Sequence, residues 1–486
     1  MTTTRDDASE HRVLARVDAR RATSIEEIRA AIRQPSVSRT GEGIVAMADQ
    51  ITAQLRGLGA TVRQIPGQRA PIVEGGLHVS SALPTLLFYD LYDVQPADSQ
   101  PGWTVPPFAA EIVTDDTNRK RLIGRGAFNS KGPLIGSLAT LRAFAEADVT
   151  LPCNLRFLIE GEEEIGSPSL DAYIADHHAQ LASCDAAYIP YFGTDARGET
   201  IIRLGFKGLA LLEFRVSGGD WGGPARGDIH ALHGALVDSP SWHLVRALAS
   251  LVDDADRLVL DELHELSPLP TRRDREMIAA VAPVYDLQAY AQEIGVTRLK
   301  PLGDAVANLA ELMFSNTLNI DALAAGKIEA SDEAATLIPR TARAFADLRV
   351  VPGVPPAAVL NLLRAHLDRR GFGHVEVRMR SSYPASRCSP DEPVVAALIG
   401  ACRQHATSVQ VFPIHAGAAP MQVFSEIIGV PYAFGGVGHG AGAHGPSEYI
   451  MLDDIVPFMK SFASFLFRFG ATGRRQSVGV ISSPAR

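Results

Sequence analysis

At 486 residues, 46% apolar and 21% charged, the chain is long enough to bury a large core and to divide into two or three domains. Its net charge of −9, with basic residues scattered rather than in runs, excludes a nucleic-acid groove or a basic membrane-binding face and leaves small-molecule chemistry as the default. Cys153, Cys184, Cys388 and Cys402 lack CxxC spacing, which argues against a disulfide framework or a Cys-rich zinc site and fits a reducing cytoplasm.

The polar opening, MTTTRDDASEHR (1–12), has no signal-peptide core and reads as disordered. No stretch stays apolar for the ~18 residues a membrane helix needs. From about Ser24 to Gly205 helix-like and strand-like segments alternate, the signature of a mostly parallel sheet covered by helices. Leu86, Leu87, Phe88 and Tyr89 read as a buried strand that ends in Asp90, Asp93 and Pro96. Open α/β proteins place their chemistry at such strand ends, although aspartates also cap ordinary turns. Leu134, Leu138 and Leu141 mark a helix after NSKGP, and NLRFLIEG is a strand running into the acidic turn EGEEEIGS (160–167). Alone, that acidic run would read as a solvated turn.

After RLGFKG the pattern changes to strand LALLEFRVSG, helix SPSWHLVRALASL, strands TLNIDALAAG and RTARAFADLRVV, helix PPAAVLNLLRAHLDRRG and strand HVEVRMRSSY. This is the β-α-β-β-α-β order of a ferredoxin-like domain, interrupted by a largely helical insert at roughly 252–316. The doubly wound pattern resumes near Ser389 and ends in DDIVPFMKSFASFLFRFG. The expected organisation is a catalytic-type α/β domain formed by 1–205 and 386–470, an inserted lid or dimerisation domain over 206–385, and a disordered tail, 471–486.

Four stretches fall at strand ends of the outer domain: YDLYDVQP, GRGAFNSKG (124–132), EGEEEIGS and GGVGHGAGAHGPSE (435–448). In this order, with an inserted ferredoxin-like domain, they resemble the aminoacylase, carboxypeptidase G and carnosine dipeptidase family of di-zinc metallopeptidases, most of all its dipeptidase branch. The resemblance covers about 24–470 and implies a zinc-exopeptidase-like fold. It also implies a general base at Glu163, a ligand of the second zinc at Glu164 and a last ligand at His444. Asp93 matches the aspartate that orients a zinc-bound histidine, but that histidine is Leu91 here. The bridging aspartate is Asn129, a further aspartate is Tyr191, and Asp90 stands where the family carries glycine. The first zinc would need positions 91, 129 and 191, and none offers a charged or imidazole donor. The second would keep Glu164 and His444, short of the three good ligands a catalytic zinc requires.

No metal or other cofactor is therefore expected, the alternative being one weakly bound zinc or manganese. The remaining residues suit proton transfer, with Glu163 as base, one of Asp93, His444 or Tyr191 as acid, and His230 with Asn129 polarising a carbonyl. His230, in GDIHALHGA, resembles a lid histidine that crosses a dimer interface in the family, with His233 competing for the role; a homodimer through the inserted domain follows. Arg349, in DLRVVPG, matches a substrate-binding lid arginine, while His415 and Gly417, in PIHAGAAP, fall on the turn that holds a substrate carboxylate. His439 and Asp90 complete the candidate substrate contacts. The expected activity is metal-independent acid–base chemistry on a small acylated amino acid or dipeptide-like substrate, as hydrolysis, cyclisation, acyl transfer or isomerisation. The alternatives are an amidohydrolase with one weak metal and an inactive binding or regulatory homologue.

Overall fold

The computed structural model describes residues 3–97, 101–300, 303–326 and 336–475. The chain divides into two compact units, one of 1–204, 388–411 and 424–486, the other of 205–387 and 412–423.

The first unit is built on a six-stranded sheet in the order Thr61–Ile65, Ile72–Leu77, Asn154–Glu160, Thr85–Leu91, Ala186–Ile189, Tyr432–Phe434. The last four strands run parallel, and the first two add an antiparallel edge. Such a sheet is buried on both faces, which is why Thr85–Leu91 carries five consecutive buried residues instead of alternating. Helix Lys131–Glu146 is buried almost all round, and helix Ile455–Gly470 packs Phe462 onto Phe88 (5.9 Å) and Tyr188 (5.3 Å). Of residues 1–12, expected to be disordered, 3–12 instead form the start of helix Thr3–Ala19, and 1–2 lie outside the described residues. Its fully buried Val13 and Val17 anchor it, and Glu10 accepts hydrogen bonds from Ser464 Oγ (2.5 Å) and Gln404 Nε2 (3.0 Å). Of the expected disordered tail, 476–486 lie outside the described residues.

The second unit holds a six-stranded sheet whose antiparallel path runs in the order Thr317–Ala325, Thr341–Val350, Gly205–Ser217, Glu376–Tyr383, with Ser386–Arg387 and His415–Ala418 also paired to Gly205–Ser217. Helices Pro240–Ala249 and Pro356–Arg369 bury Leu244, Leu248, Val359 and Leu363 against the alternate residues Ala210, Leu212, Phe214 and Val216. This is the ferredoxin-like arrangement. The helical insert consists of Asp261–Leu266, Arg272–Val281, Leu287–Glu293 and Ala305–Phe314. The segment His415–Ala418 pairs in parallel with the start of strand Gly205–Ser217. Among the described residues no helix is long and apolar enough to cross a membrane.

Candidate active site

The site is assembled at the C-terminal ends of the parallel strands of the first unit. Thr85–Leu91 delivers Asp93 two residues past its end; Asn154–Glu160 delivers the short 3-10 turn Glu163–Ile165. Asp93 is fully buried and accepts the backbone N–H groups of Glu163 (3.2 Å) and Glu164 (2.9 Å), so it sets the turn rather than facing a ligand. Burial pushes its carboxyl up to about 7. Gly161 cannot be replaced without moving Tyr92, whose ring would lie 2.3 Å from an added Cβ.

Glu164 is the hub. Its carboxylate receives Gln95 Nε2 (2.8 Å), Asn129 Nδ2 (2.6 Å) and His444 Nε2 (3.0 Å), and Gln95 also donates to its backbone carbonyl. Asn129 Nδ2 lies 3.3 Å from the same imidazole nitrogen. The side chain of His444 is 57% exposed while that of Glu164 is 3% exposed, an arrangement in which a buried carboxylate orients an accessible imidazole. The hydrogen bond to Glu164 raises the His444 pKa above its ordinary value.

Glu163 differs from its neighbour. Its carboxyl is half-buried and makes no hydrogen bond or ion pair among the described residues. Burial, reinforced by Glu164, Asp93 and Glu160, holds it well above the usual carboxylate range. Glu160, which receives the Tyr89 hydroxyl, is likewise pushed up to about 7 by burial.

The structure brings Glu164, Asn129 and His444 together, and Asp93 holds the turn on which Glu163 precedes Glu164. Tyr191 stands at the neighbouring strand end, half-buried between Phe128 (4.8 Å) and Phe434 (5.0 Å), and burial pushes its hydroxyl up to about 12. Two expected substrate contacts have interior settings instead. Asp90 is 2% exposed and, among the described residues, bonds only the Leu91 N–H (2.8 Å) and leaves Oδ2 without a partner; by the strand's alternation it points to the face opposite Leu91. His439 is buried with both ring nitrogens engaged, by the Thr194 carbonyl (2.8 Å) and the Tyr449 hydroxyl (3.1 Å).

The other candidates belong to the second unit. His230 is exposed and accepts the Leu232 N–H (3.1 Å), and His233 is exposed on the turn that follows. Arg349 pairs with Asp347 (3.2 Å). His415 lies against Phe206, ring centroids 5.7 Å apart, and accepts the Gly417 N–H (3.0 Å). Sequence reasoning missed Gln95, Arg125 and Glu448; the last two stand in the GRGAFNSKG and GPSE motifs, next to the positions that the family resemblance singles out.

A zinc pair does not fit this donor set. Position 91 is a half-buried leucine, position 191 an aromatic ring in a stack, and Asn129 turns its N–H group, a donor, toward Glu164. Glu164 and His444, the two remaining ligand types, are bonded to each other. Among the described residues no three His, Cys, Asp or Glu side chains are grouped to hold a metal ion.

Residues 88–468 match the family model for peptidase family M20/M25/M40. Cys-Gly metallodipeptidase dug1 of Schizosaccharomyces pombe is 29% identical over 274 residues, which cover 52% of this chain and 55% of that protein; the match therefore spans little more than half of the relative. The cysteinylglycine-S-conjugate dipeptidase of Corynebacterium striatum is 26% identical over 439 residues, 87% of this chain and 90% of that protein. Among solved structures, the M20 family metallo-carboxypeptidase Sso-CP2 of Sulfolobus solfataricus superposes with a TM-score of 0.81 at 30% identity, covering 92% of this chain and 99% of the other. Human carnosine dipeptidase 1 superposes with a TM-score of 0.76 at 23% identity over 95% of this chain and 99% of its own, a likeness of fold. The chain belongs to peptidase family M20/M25/M40, and several of the relatives it resembles there are dipeptidases.

Proposed function

We propose that this chain acts on a small acylated amino acid or dipeptide-like compound by acid–base catalysis with Glu163 and His444, in place of a metal-bound hydroxide. The observation that supports this most is the state of Glu163: a half-buried carboxyl with no bonded partner among the described residues and a raised proton affinity, one residue before the Glu164 that bonds an accessible imidazole. A carboxyl tuned toward neutrality is suited both to take and to return a proton. In the hydrolytic version Glu163 takes a proton from water as its oxygen bonds to the acyl carbon. His444, cationic when protonated, faces the developing oxyanion. The Glu163 proton then passes to the nitrogen as the C–N bond breaks, releasing acid and amine. Cyclisation or acyl transfer would use the same groups with an internal or second nucleophile in place of water. Asn129, whose amide is bonded to Glu164, acts here by fixing that carboxylate rather than by polarising substrate.

Family resemblance assigns the substrate carboxylate to Arg349, His415 and Gly417 and a cross-subunit role to His230. In the same reading the chain forms a homodimer through its second unit. A reducing compartment such as the cytoplasm suits its four buried, free cysteines.

The test is turnover of a panel of dipeptides and N-acyl amino acids, Cys-Gly and β-Ala-His among them, by the chelator-treated native protein and by Glu163→Gln. The expected loss is about 100-fold or more in kcat, the usual worth of a positioned acid–base group, with ligand binding retained. Undiminished turnover by Glu163→Gln, or activity that vanishes with chelator and returns with zinc, would overturn the proposal.

A further inference from the structure

We infer that Glu448, working through Arg125, is the positioning residue that holds Asn129 and His444 against Glu164. The functional weight of that contact rests on the reading above, but the geometry stands without it.

Glu448 is 1% exposed, and its carboxylate gathers four donors. One oxygen accepts the backbone N–H groups of Phe128 (2.9 Å) and Asn129 (2.8 Å). The other accepts Gly126 N–H (3.0 Å) and Arg125 Nη1 (3.0 Å). Backbone amides converging on one anion form a nest that fixes an otherwise irregular loop. The loop needs fixing: Gly126 has φ +88° and Ser130 φ +94°, the latter in a region that a residue with a side chain rarely adopts. Arg125, also 1% exposed, then reaches the other loop, with Nη2 donating to the His444 carbonyl (3.3 Å), where His444 itself has φ +62°.

One buried ion pair thus ties together the two segments whose side chains meet on Glu164. Asn129 shows the coupling most directly, since its backbone N–H is bonded to Glu448 and its carboxamide to Glu164. A displacement of its backbone by an ångström would break a 2.6 Å side-chain bond. Glu448 touches no candidate substrate position, so it acts through these residues and is not itself catalytic.

The substitution that tests this is Glu448→Gln in the full chain. It preserves size but replaces one acceptor oxygen by an NH2 group. Whichever way the amide turns, a donor then confronts either the Phe128 and Asn129 N–H groups or Gly126 N–H and Arg125. With asparagine selectively labelled with nitrogen-15, and the Asn129 signal identified by its absence in Asn129→Ala, hydrogen exchange of the Asn129 carboxamide is measured well below the unfolding temperature of each variant. Glu448→Gln is expected to speed that exchange by about tenfold or more while the carboxamides of Asn154 and Asn316, bonded elsewhere, keep their native rates. A merely structural loss would lower stability and leave the Asn129 signal of the folded protein unchanged, and that result would overturn the inference. Should Glu448→Gln not fold, Arg125→Lys serves. An ammonium cannot span both Glu448 and the His444 carbonyl as the guanidinium fork does, so the chemical shifts of the His444 ring should move. Native His444 shifts in folded Arg125→Lys would equally overturn it. Released Asn129 with undiminished turnover of a native substrate would support the positioning role and count against the proposed chemistry, which separates the two.

Discussion

Asp90 and Glu160 are interior acids that tie the protein's stability to pH. Asp90 is 2% exposed with one oxygen unpartnered among the described residues, and burial holds its carboxyl well above its ordinary 3.8; Glu160 rises from 4.5 to about 7. Both folded-state values lie above the unfolded ones, so the native chain retains protons that the unfolded chain releases. Stability is therefore greatest on the acid side of this window and falls as pH rises from about 4 toward 7, by roughly 1.4 kcal/mol per pH unit for each such proton. Asp90→Asn, which removes one titration without changing size, should flatten that slope by one proton's worth in urea unfolding between pH 5 and 7. An identical slope would mean that Asp90 does not carry a proton in the native state. Glu163, Glu164 and His444 were legible in the sequence as motif positions, and the last two bond to each other. Asp90 and His439 were not legible as interior residues, because the direction of a side chain is set by the pleat of a strand or by bonds such as the one from His439 to the Thr194 carbonyl, neither of which residue type reveals.

The elements explain why the donor set can change while the fold does not. Positions 91, 129 and 191 stand at the ends of Thr85–Leu91, before helix Lys131–Glu146 and after Ala186–Ile189; the strands beneath are held by apolar packing that does not involve these positions' chemistry. Leu91→His, Asn129→Asp and Tyr191→Asp together should create zinc affinity, since Glu164 and His444 are already in place. Calorimetric titration should show binding in the triple variant, and the native protein as purified should carry well under one equivalent of metal. Losing the Tyr191 ring from its stack with Phe128 and Phe434 should cost the zinc-free variant about 2–3 kcal/mol, a deficit that zinc reduces. No gain in zinc affinity would mean that these loops depart from the family's geometry. The main strands and the ferredoxin-like order were readable from apolar runs and helical spacing. The small sheet formed by Glu111–Thr114, Lys120–Ile123, Gly440–Ala441 and Tyr449–Met451 was not, because its strands are too short to show a period and its pairing joins distant segments. Helix Thr3–Ala19 escaped for a related reason, since among its described side chains only two, Val13 and Val17, are fully buried apolar anchors.

At the scale of the molecule, the second unit leaves apolar surface that one chain does not cover. Leu232 is 68% exposed, Leu236 90% and Trp242 62%, within and after the segment that carries His230 and His233. Strand Thr317–Ala325 forms one edge of the sheet and exposes Ile320 and Leu323, and an open edge with apolar side chains invites strand pairing. Isolated apolar residues are common on monomers; several on one compact unit that also has an open strand edge suit an interface, which needs about 1,200 Å² or more to be stable. The composition alone could not locate this surface, because exposed and buried leucines look alike in a sequence. A second copy of the chain is the occupant that the family resemblance implies, with His230 reaching the partner's site. Sedimentation velocity should find a dimer for the native protein, and Trp242→Glu should shift it to monomer with an unchanged far-UV spectrum, since the ring is mostly outside the core and a carboxylate cannot be buried unpaired at an interface. If His230 acts across the interface, the monomeric variant and the dimeric His230→Ala should lose turnover to the same extent. Mixing His230→Ala with Glu163→Gln protomers should restore part of it, because half of the sites in a mixed dimer then hold an intact base and an intact partner histidine. A native protein that is monomeric and fully active, or a mixture with no recovery beside a dimeric and inactive His230→Ala, would exclude the cross-subunit role.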